Sequence, residues 1–174
     1  ELSTLGFLIA KVRLTPPSNL TCAMEIAERF SRLRPKRKTH PFSDELVSWI
    51  GEDNALCLIT YQNFINNISD IRLKRWLQLT VSSALRPASR WLSGSIKPQF
   101  DPKRNPSPLG KHLLRAAKIL KRNCELERSN VSATVAAKIH QGDALHLRLN
   151  GFPMGLSLDV VITSPPYATM YDYF

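Results

Sequence analysis

The 174-residue sequence predicts an α/β fold, in which part of a doubly wound parallel sheet carries a large, mainly helical insertion. Residues 156–163 form an apolar run of strand length that stops at Ser164-Pro165. Residues 131–140 contain several β-branched side chains and lead into Gly142-Asp143-Ala144. Strand-like runs that each end in a polar loop are typical of a parallel sheet with its functional loops at the carboxyl ends of the strands. Residues 20–130 show the spacing of helices instead, which predicts the insertion.

The helices of the predicted insertion follow from apolar spacing and from capping residues. A first helix begins at residue 4 and ends before Pro16-Pro17, because proline lacks an amide hydrogen and restricts the residue before it. Thr21, Ser43 or Asp44, and Asp70 are predicted N-caps of later helices. The predicted helical spans are 4–12, 21–34, 43–50, 54–68, 70–85 and 109–128, the last with Lys and Arg opposite its apolar side. The proline-rich residues 86–108 are predicted to form a long irregular segment.

The composition is that of a globular protein. Apolar residues make up 43% of the chain and charged residues 22%, which is enough apolar material for a core. No apolar run approaches the roughly 20 residues of a membrane-spanning helix, and the start lacks the basic segment of a secretory signal. The cysteines (Cys22, Cys57 and Cys124) are far apart and odd in number, so we expect free thiols, a cytoplasmic location and no metal site. Because the sequence starts at Glu1 and stops at Phe174 without a polar tail, we also expect a fragment of a longer protein.

The charge of the chain is concentrated in its middle. The net charge is +10, but residues 71–130 alone carry +11, whereas residues 41–70 carry −5. A basic block of this density attracts polyanions through phosphate contacts and counterion release. A solvated helical face followed by a basic linker explains the same charge equally well. The predicted nucleic-acid contacts are the cations of the proline-rich segment, which stand beside the stacking groups Trp91 and Phe100: Arg86, Arg90, Lys97, Lys103 and Arg104.

The most informative stretch follows the apolar run of residues 156–163. It reads Ser164-Pro165-Pro166-Tyr167. Two consecutive prolines fix the backbone and leave their carbonyl oxygens free to accept hydrogen bonds. The serine hydroxyl and the tyrosine ring add a hydrogen-bonding group and an aromatic face, so the four residues suit a planar group that bears an amine. A proline-rich end of a strand with a packed tyrosine is the structural alternative.

This stretch resembles the catalytic loop of the DNA amino-methyltransferases, which methylate exocyclic base amines with S-adenosylmethionine. The loop of that family reads (Asp/Asn/Ser)-Pro-Pro-(Tyr/Phe), and a serine in the first position is associated mostly with cytosine-N(4) methylation. The resemblance implies a Rossmann-like class I methyltransferase sheet in partial form, with Ser164, Pro165, Pro166 and Tyr167 as the catalytic residues. The implied domains are residues 1–19 as the edge of the cofactor-binding core, 20–130 as a helical target-recognition insertion, and 131–174 as the core with the catalytic loop.

The resemblance also implies two cofactor-binding residues. Asp143 in Gly142-Asp143-Ala144 resembles the acidic residue that contacts the adenine amine of S-adenosylmethionine, although an ordinary turn explains the same residues equally well. Glu1 resembles the acidic residue that binds the ribose hydroxyls. The chain departs from the family in one respect, because no Phe-x-Gly-x-Gly loop occurs in it. This puts cofactor binding by the chain alone in doubt.

The resemblance implies a reaction on double-stranded DNA, in which the target base is flipped out of the duplex and stacks on Tyr167. A nucleoid-associated location and a cognate restriction nuclease as partner are further implications. Two alternatives stay open: methylation of adenine-N(6) in DNA or of a base in RNA, and a basic nucleic-acid-binding module without catalysis.

Overall fold

The computed structural model describes residues 3–33, 35, 39–130, 137, 139 and 141. These residues form a helical unit made of α1 (Thr4–Leu14), α2 (Leu20–Ser31), α3 (Asp44–Ile50), α4 (Glu52–Asn66), α5 (Ile71–Ala88) and α6 (Leu109–Asn130). In this part of the chain, β-type pairing is limited to one isolated antiparallel bridge between Trp91 and Phe100. The described part of the chain is therefore all-α.

The predicted α/β fold, with its partial Rossmann-like sheet, is wrong for the described residues. The two runs that predicted strands, 131–140 and 156–163, lie almost wholly outside them. The helical segment, predicted as an insertion into a sheet, builds a core of its own from residues on all six described helices. The described residues of the predicted cofactor-core edge belong to the same unit, because α1 packs on α5 and α6 and buries Val12.

The most extensive interface of the unit joins α5 and α6, and α2 packs on α6 beside it. Leu113 and Ala117 of α6 are fully buried, as is Trp76 of α5. Burial of an apolar side chain of the size of leucine contributes about 1.5–3 kcal/mol to folding, so this interface is a principal source of stability. Phe30 of α2 extends the core toward α4, where its ring lies 5.3 Å from that of Tyr61.

Four helices begin at a side chain that accepts a hydrogen bond from the first turn. Asp70 accepts from the amide of Arg72 at 2.8 Å, which confirms this predicted cap. Of the two residues predicted for α3, Ser43 is the cap, because it accepts from the amide of Leu46 at 3.3 Å, and Asp44 is the first residue of the helix. The predicted cap Thr21 is wrong, because α2 begins at Leu20 and its N-cap is Asn19, two residues before Thr21. Ser3 caps α1 in the same way.

The connection between α5 and α6 is shorter than the sequence predicted. Helix α5 continues through Pro87 to Ala88, because a proline in the last turn removes only a hydrogen bond that is near the helix end. The irregular segment is therefore residues 89–108, which we call the connecting loop. It leads directly into the first turn of α6 at Leu109.

Candidate nucleic-acid interface

The connecting loop is tied to the helical unit by backbone hydrogen bonds. The amide of Arg90 donates to the carbonyl oxygen of Trp49 in α3 at 2.8 Å, and the amide of Asp101 donates to the carbonyl oxygen of Arg90 at 2.8 Å. At the other end, the amide of Ser107 donates to the carbonyl oxygen of Ala88 at 3.0 Å. The loop that carries the predicted nucleic-acid contacts therefore has a defined position beside α3 and α5.

Two of the predicted contact residues hold this loop with their guanidinium groups. Arg104 donates to the carbonyl oxygens of Trp91 at 2.5 Å and Pro87 at 2.7 Å. Arg90 donates to the carbonyl oxygens of Ser48 at 2.6 Å and Arg104 at 3.2 Å. Both arginines are half-buried. Their charged groups thus satisfy backbone carbonyl oxygens of α3, α5 and the connecting loop.

The other three predicted contacts are exposed. Arg86 donates to the carbonyl oxygen of Ser95 at 2.5 Å, and its guanidinium carbon lies 4.6 Å from the centre of the Trp91 ring, a cation–π contact. Lys97 and Lys103 carry their ammonium groups into solvent, and no described residue pairs with either of them. Phosphate contact by the five predicted cations stays a prediction. Of the five, Lys97 and Lys103 are the two whose charged groups have no partner among the described residues.

An aromatic groove lies between α3, α5 and the connecting loop. Its volume is about 460 Å³. Trp49 lines it and makes edge-to-face contacts with Trp91 at 6.2 Å and with Phe100 at 5.3 Å between ring centres. These edge-to-face contacts are made within the protein, so the three rings contribute to the packing of the folded unit. The groove is also lined by Leu46, Leu85, Pro98 and the hydroxyl groups of three serines.

A second groove, of about 430 Å³, runs between α5 and α6. His112 lines it and forms a hydrogen bond of 2.6 Å between its Nε2 and the Oγ of Ser107. Burial, and then the nearby charges of Lys111, Arg104 and Arg115, lower the pKa of His112 below its ordinary value of 6.5. The imidazole is therefore neutral at pH 7 and contributes polarity to this groove without charge.

The exposed side of α6 carries a row of cations that we call the α6 basic face: Lys111, Arg115, Lys118 and Arg122. At about 100° per residue, their positions fall within about 60° of one another around the helix. All four are exposed, and no ion pair or side-chain hydrogen bond of theirs occurs among the described residues. The opposite side of α6 holds the buried Leu113 and Ala117.

The neighbouring cations at the end of α6 are engaged with other groups. Arg13 of α1 forms an ion pair with Glu127, and this raises the pKa of the Arg13 guanidinium. Lys121 pairs with Glu125 across one turn at 3.6 Å. Arg128 donates to the carbonyl oxygen of Pro17 at 2.5 Å. The α6 basic face is thus distinguished from these cations by its lack of partners within the described residues.

The sequence analysis noted basic residues opposite the apolar side of residues 109–128 but nominated none of them as a contact. The signal that identifies them is their spacing at i, i+4, i+7 and i+11 without an interleaved acid. The predicted catalytic residues Ser164, Pro165, Pro166 and Tyr167 lie outside the described residues, as do the predicted cofactor residues Glu1 and Asp143.

The comparisons with protein families, with curated proteins and with solved structures found no match to this chain. The described helices include none with the length and apolar character needed to cross a membrane.

Proposed function

We propose that this chain is part of a DNA methyltransferase that transfers a methyl group from S-adenosylmethionine to an exocyclic base amine, with cytosine-N(4) as the target. The observation that carries the proposal is Ser164-Pro165-Pro166-Tyr167 directly after an apolar run of strand length. The net charge of +11 in residues 71–130 supports a polyanionic substrate such as double-stranded DNA. A nucleoid-associated location and a cognate restriction nuclease belong to the same proposal.

In this proposal, each residue of the catalytic loop has one role. The Tyr167 ring stacks on a base that has left the duplex. The Ser164 hydroxyl and the Pro165 carbonyl oxygen accept hydrogen bonds from the base amine, which turns its lone pair toward the methyl group and stabilises the positive charge that develops on the nitrogen. Bound S-adenosylmethionine would supply an electrophilic methyl group on sulfonium sulfur. Because Glu1 and Asp143 lie outside the described residues, no described side chain is assigned to the cofactor.

The proposal is tested by methyl transfer from labelled S-adenosylmethionine to duplex DNA, with the complete gene product as the enzyme. Tyr167→Ala removes the stacking ring and should abolish transfer, while Tyr167→Phe keeps the ring and should retain it. Nucleoside analysis of the DNA should show N(4)-methylcytosine. Transfer that survives Tyr167→Ala would contradict the role of the loop, and N(6)-methyladenine would reassign the target amine.

A second candidate function is a basic nucleic-acid-binding module without catalysis. The observation that favours it is the α6 basic face, which has no partner in the part of the chain that the structure describes and needs no catalytic loop to attract a polyanion. One result separates the two candidates. If the chain is a binding module without catalysis, it binds duplex DNA, and the complete gene product transfers no methyl group to DNA or RNA.

A further inference from the structure

We propose that the α6 basic face binds the phosphate backbone of double-stranded DNA without reading its sequence. The proposal deepens the proposed function and rests on it only for the choice of DNA as the polyanion. It differs from the sequence prediction, which placed the contacts in the connecting loop. The argument rests on the spacing, the partners and the composition of α6.

The spacing suits a phosphate backbone. From Lys111 to Arg122 the helix rises by about 16 Å at 1.5 Å per residue. Duplex DNA carries one phosphate charge per about 1.7 Å of its axis, so a segment of that length offers several phosphates to the face. The helix is held in place on its other side by Leu113 and Ala117, which are completely buried. The cations therefore project from a rigid support.

The cations of the α6 basic face, which have no partner among the described residues, repel one another in the protein without a ligand. Lys111 and Arg115 stand at i, i+4, as do Lys118 and Arg122, and like charges at this spacing destabilise a helix. An anionic ligand would remove this repulsion and release its own counterions. Lys121 and Arg128 of α6 and the adjacent Arg13 of α1 have protein partners already, so among the described residues the α6 basic face is the part of α6 that is left for such a ligand.

The composition of α6 favours duplex phosphates over other anionic surfaces. Proteins that grip single strands stack unpaired bases on aromatic side chains, and Leu109–Asn130 contains no Phe, Tyr or Trp. A helix that lies in a membrane surface inserts a continuous apolar side into the lipid, but Leu113 and Ala117 of α6 are buried in the core, which leaves only Ile119 and Leu126 as its large exposed apolar side chains. A phosphate backbone requires only exposed cations, and these are present.

The test compares two double variants that remove the same charge. Arg115→Gln with Arg122→Gln changes the α6 basic face, and Arg29→Gln with Arg72→Gln changes two exposed arginines on α2 and α5. The affinity of the full chain for a duplex of mixed sequence is measured against salt concentration. Each lost phosphate contact lowers the slope of log affinity against log salt by about 0.9, so the first double variant should lose about 1.8 and the control should lose little.

Two further variants keep the test decisive. Arg115→Lys with Arg122→Lys retains the charge and should retain the slope, because a phosphate contact of this kind needs only a cation. Lys118→Gln alone should lower the slope by about 0.9. Thermal unfolding of each variant checks that the fold persists, which we expect because all the changed residues are exposed.

The proposal is overturned if both double variants lower the slope equally, since net charge alone then explains binding, or if neither does. It is also overturned if duplex RNA or anionic vesicles bind more tightly than DNA and lose that binding in the first double variant. Failure of the proposed function gives a different result: the complete gene product transfers no methyl group, while the slope still falls in the first double variant.

Discussion

The side chain of Asn54 in α4 caps the first turn of α6, because its Oδ1 accepts a hydrogen bond of 2.8 Å from the amide of Leu109. Its Nδ2 donates to the carbonyl oxygens of Ile50 at 2.9 Å and Ser107 at 3.0 Å. The side chain is only 5% exposed. A single buried side-chain amide therefore joins three helices, α3, α4 and α6, to the end of the connecting loop. It also satisfies a backbone amide that the start of a helix leaves without a partner.

Replacement of this amide should be strongly destabilising. Asn54→Ala removes all three hydrogen bonds and leaves the Leu109 amide buried without a partner, which should lower the free energy of unfolding by about 2–4 kcal/mol. Urea denaturation followed by circular dichroism measures the change. Asn66→Ala, on an exposed position of the same helix, is the control and should change it by less than about 0.5 kcal/mol. Equal effects of the two substitutions would contradict the capping role.

Gly110 marks a close approach of α6 to α2. A Cβ atom at this position would lie 2.2 Å from the carbonyl oxygen of Ser31, closer than any van der Waals contact allows. Alanine favours a helix interior over glycine by about 1 kcal/mol, so helix propensity alone predicts that Gly110→Ala stabilises the protein. The contact predicts the opposite sign, with a loss of about 1–3 kcal/mol as the helices are forced apart.

The same denaturation experiment decides between the two signs. Gly94→Ala is a suitable control, because Gly94 has open space around its Cβ position but a φ of 82°. Alanine there should cost about 1–2 kcal/mol through backbone strain alone. Stabilisation by Gly110→Ala would show that α2 and α6 can move apart at this contact without a loss in the free energy of unfolding.

The helices of the described unit could be predicted because each is encoded locally. Apolar spacing and caps such as Ser43 and Asp70 act within one or two turns, so the sequence contains the whole signal. The fold class could not be predicted in the same way. The strand-like runs beyond residue 130 suggested a sheet. Whether helices pack on a sheet or build a core of their own depends on long-range packing, such as that of Trp76 of α5 in the core it shares with α6.

The candidate interface was predicted in outline only. Charge density located the cations in residues 71–130, but side-chain partners decide which of them are free, and partners are set by tertiary structure. Arg104 bonds to the carbonyl oxygens of Pro87 and Trp91, which stand 17 and 13 residues away in the sequence. Sequence analysis cannot distinguish such an arginine from Arg115, which has no such partner among the described residues.

The buried hydroxyl of Tyr61 should make stability depend on alkaline pH. Tyr61 is 1% exposed, and its hydroxyl donates to the carbonyl oxygen of Phe30 at 2.8 Å. Burial raises the pKa of Tyr61 above its ordinary value of about 10, because the core disfavours the phenolate. The unfolded chain loses this proton near pH 10 while the folded protein keeps it. The stability that the neutral phenol confers is therefore fully present below pH 10 and is lost as the pH rises above it.

Above pH 10, the Tyr61 phenol should therefore lower the free energy of unfolding by about 1.4 kcal/mol per pH unit. Tyr61→Phe should cost about 1 kcal/mol at pH 8 through the lost hydrogen bond, and it should remove this part of the pH dependence. Denaturation of both proteins between pH 8 and pH 11 tests this, since the other titrating groups cancel in the difference. Parallel pH profiles would contradict the assignment.

Arg104 offers a test that separates a structural role from a role in DNA binding. Arg104→Lys keeps the positive charge but loses the planar group whose two nitrogens reach the carbonyl oxygens of Trp91 and Pro87. If the guanidinium holds the connecting loop, the free energy of unfolding should fall by about 1–3 kcal/mol. Lys103→Gln removes a charge from the exposed neighbour and should leave it within about 0.5 kcal/mol.

In DNA binding, the Lys103 variant should have the larger effect of the two, whereas the Arg104 variant has the larger effect on stability. Lys103→Gln should lower the salt slope by up to about 0.9 if Lys103 contacts a phosphate, whereas Arg104→Lys should leave it unchanged at temperatures where the variant is folded. Arg104→Lys with unchanged stability would show that the two carbonyl contacts add nothing to the fold. The half-buried guanidinium would then be free to act as the phosphate contact that charge density alone predicted.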